Sequence, residues 1–286
     1  MGWSVYKNLV LKDRTFCILV IIILGFLFKI LSKSVKGKYR ECKIKFINYK
    51  SIDEERENMS YTKEIFEKSI NKPIACICKK TMEENDCSIL LSQINDLMTV
   101  RDKFIEVNEE CGSLWNEICI DSLSVINSAF SGFYRTAIVG LRSIYEIGCS
   151  SIFYHDHMIE YHLFKNEDKK ADKYVSALVN EFDFFKSKYI RAFNSSFDSI
   201  QKEEDGIAKH LIRLYRELSD VVHGRYNKLT NIDVFQIEYN FQKYKQFEKL
   251  FIETTDMLLL VSILRFNIEL ENNKKIFERT GVIKHE

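Results

Sequence analysis

Arg216 and His223 lie seven residues apart in the run Leu211 to Tyr226, LIRLYRELSDVVHGRY. At about 100° per residue, seven steps make nearly two turns, so in a helix both side chains share one face. A guanidinium grips two phosphate oxygens and keeps its charge at any physiological pH. An imidazole with an ordinary pKa of roughly 6.5 takes the proton of a ribose 2′-hydroxyl and returns one to the leaving 5′-oxygen. Together they would offset the charge that builds on phosphorus as RNA is cut, with no metal ion or other cofactor in the scheme. Ser219, one turn from each, is placed to orient the phosphate.

The helix that carries them must hold them at its edge. With Leu211 at zero on a helical wheel, Leu214, Leu218, Val221 and Val222 run from about 280° round to 20°, and Ile212, Tyr215 and Tyr226 extend the apolar arc to about 100°. Arg216, Ser219 and His223 fall between about 80° and 140°, on the rim of that arc, while Arg213, Glu217 and Asp220, between about 180° and 240°, take the solvated face. His210 stands opposite Arg216 and is expected in solvent. Gly224 marks a helix end and puts His223 in the last turn. A histidine that only packs at a helix rim would show the same spacing.

The rest of the chain also reads as helix. One Pro and 10 Gly in 286 residues leave little to interrupt it. Apolar residues recur at helical spacing over Ser88 to Met98, Phe104 to Phe130, Tyr174 to Phe193, Ile207 to Tyr226 and Asp233 to Leu270, the last as one helix or two. Between Ser131 and Tyr154 the only charges are Arg135, Arg142 and Glu146, so that helix needs cover on most of its surface and belongs at the centre. Polar stretches at 165–172 and 194–205 separate helices. Long helices with short connections predict an all-α antiparallel bundle over residues 81–286. Ahead of it, 32–80 reads as a juxtamembrane linker or small strand-containing region, with short strands at Cys42 to Tyr49 and, after Pro73, at Ile74 to Cys78.

Residues 1–31 read as a membrane anchor. Phe16 to Phe28 is uncharged, and Thr15 to Leu31 makes a 17-residue span if Lys29 snorkels to the interface. Lys29, Lys33, Lys36, Lys38 and Arg40 follow it, against Lys7, Lys12, Arg14 and Asp13 before it, which points the C-terminal bulk into the cytoplasm. This makes an all-α bundle with an N-terminal transmembrane helix, held single-pass in the inner membrane through residues 15–31. The formal charge of +1 excludes a global basic field, so any nucleic-acid contact is local. Eight cysteines, none in the last 137 residues, suit reduced thiols better than a disulfide scaffold.

Arginine followed by histidine across the six residues Glu217 to Val222, late in a helical bundle, resembles the HEPN superfamily of helical nucleotide-binding and ribonuclease domains. The phrase Tyr215 to Gly224, YRELSDVVHG, with the earlier Gly140 to Glu146, GLRSIYE, is similar to uncharacterised bacterial helical proteins related to abortive infection. The resemblance covers about residues 85 to 270. It implies His223 as general base or acid, Arg216 as the phosphate-binding cation, Arg142 and Glu146 as polar support for the motif, and a homodimer with both motifs facing one cleft. The superfamily also holds members that bind without cutting. Glu217 departs from its pattern, standing where a small polar residue is common; apart from the resemblance, Arg142 with Glu146 also suits a register-fixing ion pair.

Other residues carry weaker readings. His155, His157 and His162 are spaced too unevenly for one helical face and do not read as a metal site. Phe182, Phe184, Phe185, Tyr189 and Phe193 at helical spacing are core or base-stacking rings, and Lys186, Lys188 and Arg191 between them are candidate RNA contacts. The leading expectation is therefore a membrane-tethered, metal-independent endoribonuclease acting as an antiphage or toxin effector, with RNA, a second copy and a regulatory protein as partners. The alternative is a non-catalytic helical nucleotide-binding or sensor protein of a defence system, or a structural membrane-associated subunit.

Overall fold

The structure, a computed structural model, describes residues 44–45, 66–167, 175–225 and 236–284, all within a compact unit spanning Lys43–Glu286. The elements are β1 (Ile44–Lys45), a π-helical turn at Glu67–Asn71, α1 (Lys72–Glu84), α2 (Ser88–Val107), α3 (Glu109–Phe130), α4 (Tyr134–Asp156), α5 (Met158–Glu167), α6 (Val175–Glu181), α7 (Ser187–Phe193), α8 (Phe197–Ile200), α9 (Gly206–Val222), β2 (Gln236–Ile237), α10 (Phe241–Phe266) and α11 (Asn273–Thr280). The two strands form one antiparallel pair, with Ile44 opposite Ile237 and Lys45 opposite Gln236.

Asn108 alone separates α2 from α3, and its side chain explains the break. Its Oδ1 accepts from the Cys111 amide at 3.2 Å, satisfying one of the orphan N–H groups of α3, while Glu109 and Glu110 complement the same helix end. The hairpin closes tightly because Gly112 packs on the backbone of Ile105. A β-carbon there would sit 2.7 Å from both the Cα and the N of Ile105. Ser131–Phe133, with Gly132 at φ +85°, turns the chain again into α4. Such short connections make α2, α3 and α4 successive antiparallel neighbours. α10 packs against α2 and α4 and completes the four-helix core, and α9 lies along the outside of α4.

α10 is the most enclosed element. Every residue from Thr254 to Leu264 is buried, which makes it a second central helix beside the one expected at α4. α4 buries 12 of its residues, Leu141, Ile144 and Tyr145 among them, so it shares the centre with α10.

Among the described residues no helix is long and apolar enough to cross a membrane. Even α10 carries Lys243, Lys245, Glu248, Lys249, Glu253 and Asp256 before its apolar half. This corrects the expected bundle with an N-terminal transmembrane helix, and with it the inner-membrane partner and single-pass placement; the anchor read at residues 15–31 lies outside the described residues. Three further expectations change. Ile74 to Cys78 is helical, because Pro73 sits in the first turn of α1, where its missing N–H is no loss. α1 belongs to the bundle, with Ile77 buried and the Thr81 hydroxyl donating to the Ile77 and Phe130 carbonyls at 2.9 and 3.1 Å, so the bundle starts before residue 81. The helix expected over Tyr174 to Phe193 is split between α6 and α7: Asp183 and Phe185 take positive φ, and the turn buries the adjacent rings of Phe184 and Phe185 together, which one continuous helix would point about 100° apart.

Gly112→Ala should lower the unfolding free energy by about 1–3 kcal/mol through overpacking against Ile105. Urea denaturation of this variant beside Ser113→Ala, an exposed neighbour, isolates the steric effect.

Candidate functional site

α4 presents three polar side chains to α9 at successive levels. Near the start of α9, Tyr145 donates from its hydroxyl to the Leu211 carbonyl at 2.8 Å. One turn on, Arg142 donates to the Tyr215 hydroxyl at 3.0 Å and lies 5.0 Å over its ring. At the far end, Arg135 Nη2 donates to the Val221 and Val222 carbonyls at 3.3 Å each. Residue numbers fall along α4 as they rise along α9, so the helices run antiparallel. Helix carbonyls at a C-terminus lack intrahelical partners and carry partial negative charge, which is why a guanidinium belongs there.

The end of α9 is a glycine cap. Gly224, at φ +61°, donates to the Val221 carbonyl at 3.2 Å and Arg225 donates to Asp220 at 3.1 Å, the paired bonds that close a helix whose next residue turns left-handed. His223 is the last residue before the turn and its side chain is exposed. Arg216 is exposed as well, and neither side chain has a hydrogen bond or ion pair with any described residue. Their carboxylate neighbours are engaged elsewhere: Glu217 pairs with Arg213 at 3.4 Å and Asp220 with Arg225 at 2.5 Å. The acidic residue after Arg216 thus bonds a different cation, one it shares with Glu253, a feature invisible in the spacing.

The groups expected to support this pair do other work. Ser219 donates its hydroxyl to the Tyr215 carbonyl at 2.6 Å. Arg142 and Glu146 form an i,i+4 ion pair at 3.1 Å that serves Tyr215, with no hydrogen bond to Ser219 or His223. The membrane-tethered ribonuclease expectation, with its transmembrane and ribonuclease labels, is corrected accordingly. Among the described residues no helix is long and apolar enough to cross a membrane, no group of three or more His, Cys, Asp or Glu side chains could hold a metal ion, and the expected supporting side chains bond elsewhere than to Arg216 and His223.

The candidate RNA contacts on α7 fare similarly. Lys186 pairs with Asp183, and Arg191 bonds Asp198 at 2.6 Å and Glu204 at 2.7 Å, which leaves Lys188 as the unpaired cation of the three. Phe184 and Phe185 are core, and Phe193 lies under the Arg265 guanidinium at 3.3 Å. Of the histidines, His155 bonds Asp156 at 3.2 Å, and His157 donates from Nδ1 to the Phe153 carbonyl at 2.9 Å while its ring stacks on that of Phe153 at 4.0 Å.

His210 is not in solvent. Its Nε2 lies 2.8 Å from Glu253 of α10, with Arg213 bonded to the same carboxylate. Burial and the Arg213 guanidinium push its pKa down to about 4. Two ionic clusters also escaped the sequence reading. Asp256, buried in α10, receives two bonds of 2.6 Å from Arg279 of α11 and one of 2.5 Å from Gln93 of α2. Asp156 meets Arg265 and the Tyr189 hydroxyl; burial works against its charge, but bonds from His155, Arg265 and Tyr189 hold its pKa at about 2. The available signal was an acidic residue inside the apolar run 254–264, which demands a buried partner.

Two cavities open elsewhere. One, of about 450 Å³, is walled by Phe104, Val107, His155, Phe266 and Ile268, and its ammonium, Lys103, is bound to Glu106 at 2.9 Å. The other, of about 440 Å³, lies between α9, α10 and α11. No family model, curated protein or solved structure matches the chain.

Arg135→Met removes the side-chain donor to the Val221 and Val222 carbonyls, leaving Val221, among the described residues, only its bond from Gly224, and should cost about 1–3 kcal/mol of stability, read as a lower urea midpoint at unchanged slope. His210 binds a proton in the unfolded chain but not in the folded one between its ordinary pKa and about 4. Its contribution is therefore complete above pH of roughly 6.5 and lost as pH falls towards the folded value. His210→Gln should flatten the decline of stability over that window in pH-dependent urea melts.

Proposed function

We propose that the bundle is a non-catalytic nucleotide-binding module of a sensor protein, which holds a ligand phosphate on Arg216 and His223. The observation that carries the reading is the state of these two side chains. They stand exposed on one rim of a helix clamped by Arg135, Arg142 and Tyr145, with no partner among the described residues. Glu217 and Asp220 are bonded to Arg213, which also bonds Glu253, and to Arg225, so neither neighbouring carboxylate is bonded to Arg216 in place of an oxyanion.

Binding rather than turnover is favoured by the surroundings. General base work needs an imidazole whose tautomer and direction are fixed by a third group. No described group bonds the His223 ring, Ser219 is turned to the backbone, and Arg142 is committed to Tyr215. The resemblance to the HEPN superfamily, some of whose members bind without cutting, agrees with this reading. Two charge-assisted hydrogen bonds of roughly 1.5–3 kcal/mol each correspond to a Kd between millimolar and tens of micromolar, weakening with salt.

Calorimetric titration of the full-length protein with AMP should give saturable binding, with adenosine inert. Arg216→Ala and His223→Ala should each weaken AMP at least fivefold without lowering the melting temperature, and AMP should be recovered intact. Equal binding of adenosine, an unchanged Kd in the double variant, or hydrolysis of the nucleotide would sink the proposal.

A further inference from the structure

The cavity of about 440 Å³ between α9, α10 and α11 falls within the size range of small-molecule sites, and its lining is chemically uneven. Ile252 and Met257 supply apolar wall, joined by Thr280 and by the aliphatic stems of Glu248 and Lys249. Three carboxylates line it, and each is bonded to a cation, Arg213 being shared with Glu217 outside the cavity. Glu248 bonds Lys245 at 2.7 Å, Glu253 bonds Arg213, and Asp256 holds Arg279 through two bonds of 2.6 Å.

Once those pairs are matched, Lys249 is left over. It lines the cavity, is exposed, and has no hydrogen bond or ion pair with any described residue. Arg279 spends Nε and Nη2 on Asp256 and keeps Nη1 without an acceptor among the described residues. His210, on the α9 wall, is neutral at physiological pH and adds no charge of either sign. Among the described residues the cavity thus offers the unpaired Lys249 ammonium and the spare Nη1 of Arg279 above an apolar wall.

From this juxtaposition we infer that the cleft is a second binding site, for a small amphiphilic anion: a carboxylate or phosphate head on a short apolar tail, the head on Lys249 and Arg279 and the tail against Ile252 and Met257. The site is separate from the Arg216 and His223 rim, whose residues do not line it. Because α9 carries His210 on this wall and Arg216 on the other edge, a ligand here bears on the same helix that presents the phosphate pair.

The test is calorimetric titration of the full-length protein with four six-carbon probes: hexanoate, hexyl phosphate, hexylammonium and 1-hexanol. At least one of the two anions should bind at least tenfold more tightly than hexylammonium and hexanol, and the tighter of hexanoate and hexyl phosphate identifies the head group. Lys249→Glu should weaken that anion at least tenfold, and Ile252→Trp, which fills the cavity, should abolish it; circular dichroism confirms that each variant is folded. Lys275→Glu, an exposed α11 position outside the lining, should bind as the wild type does. The double variant Arg216→Ala/His223→Ala should also retain the anion, which separates this site from the nucleotide reading. Failure of both anions to bind, equal binding of hexylammonium, or an unchanged Kd in Lys249→Glu overturns the inference; since Lys249 is exposed, that variant remains informative even if Ile252→Trp does not fold.

Discussion

The pairing of Asp256 is the constraint on which the bundle turns. It lies in the stretch of α10 from Thr254 to Leu264 in which every residue is buried, and a carboxylate there is tolerable only if it is bonded. Arg279 reaches it from α11 and Gln93 from α2, so one charge fixes three helices in register. The hydroxyls of Thr255 and Ser262 in the same stretch solve the same problem locally, donating to the Phe251 and Leu258 carbonyls at 2.9 and 2.8 Å. Asp256 has no such local option, because a carboxylate has no proton to give a helix carbonyl. It therefore ties α10 to distant parts of the chain, and it sets the floor of the cavity beside α9.

A second set of ties places the exposed pair. α4 holds α9 through Tyr145, Arg142 and Arg135, each bonded to a different level of the helix. With Leu211, Leu214, Leu218 and Val221 buried inside, the rim with Arg216 and His223 can only face outward. Arg135 has a double role here, since the carbonyls it satisfies are those nearest His223 in sequence. The cost is visible in its own Nε, which is buried without a partner among the described residues. Positioning has been achieved with considerable precision, while the groups that would drive a proton transfer are bonded into the scaffold instead. That imbalance is why we propose a grip on an anion in preference to a reaction centre.

Periodicity in the sequence was enough to give the helical class, the antiparallel order of the long helices, and the rim position of Arg216 and His223, because these follow from where apolar side chains fall on a wheel. It was not enough to pair the charges. Whether Glu217 turns towards Arg216 or Arg213, and whether Arg142 supports a phosphate or Tyr215, depends on which helix lies alongside, and wheel angles hold no such information. The break between α6 and α7 was hidden for a related reason: Phe182 to Phe193 keeps helical spacing, yet burying Phe184 and Phe185 together forces left-handed backbone that spacing cannot announce. His210 was misplaced because its wheel position faces away from Arg216, and the partner that covers that side, Glu253 of α10, is more than 40 residues away.

The most direct test of the account is to follow the ring resonances of His223 by NMR while a nucleoside monophosphate is added to the full-length protein, assigning them by their loss in His223→Ala. The account predicts a saturable shift of those resonances, abolished by Arg216→Ala, with the nucleotide's own phosphorus signal remaining that of the intact monoester. Resonances that stay fixed at saturating nucleotide, or a phosphorus signal that converts to free phosphate or a cyclic ester, would contradict it.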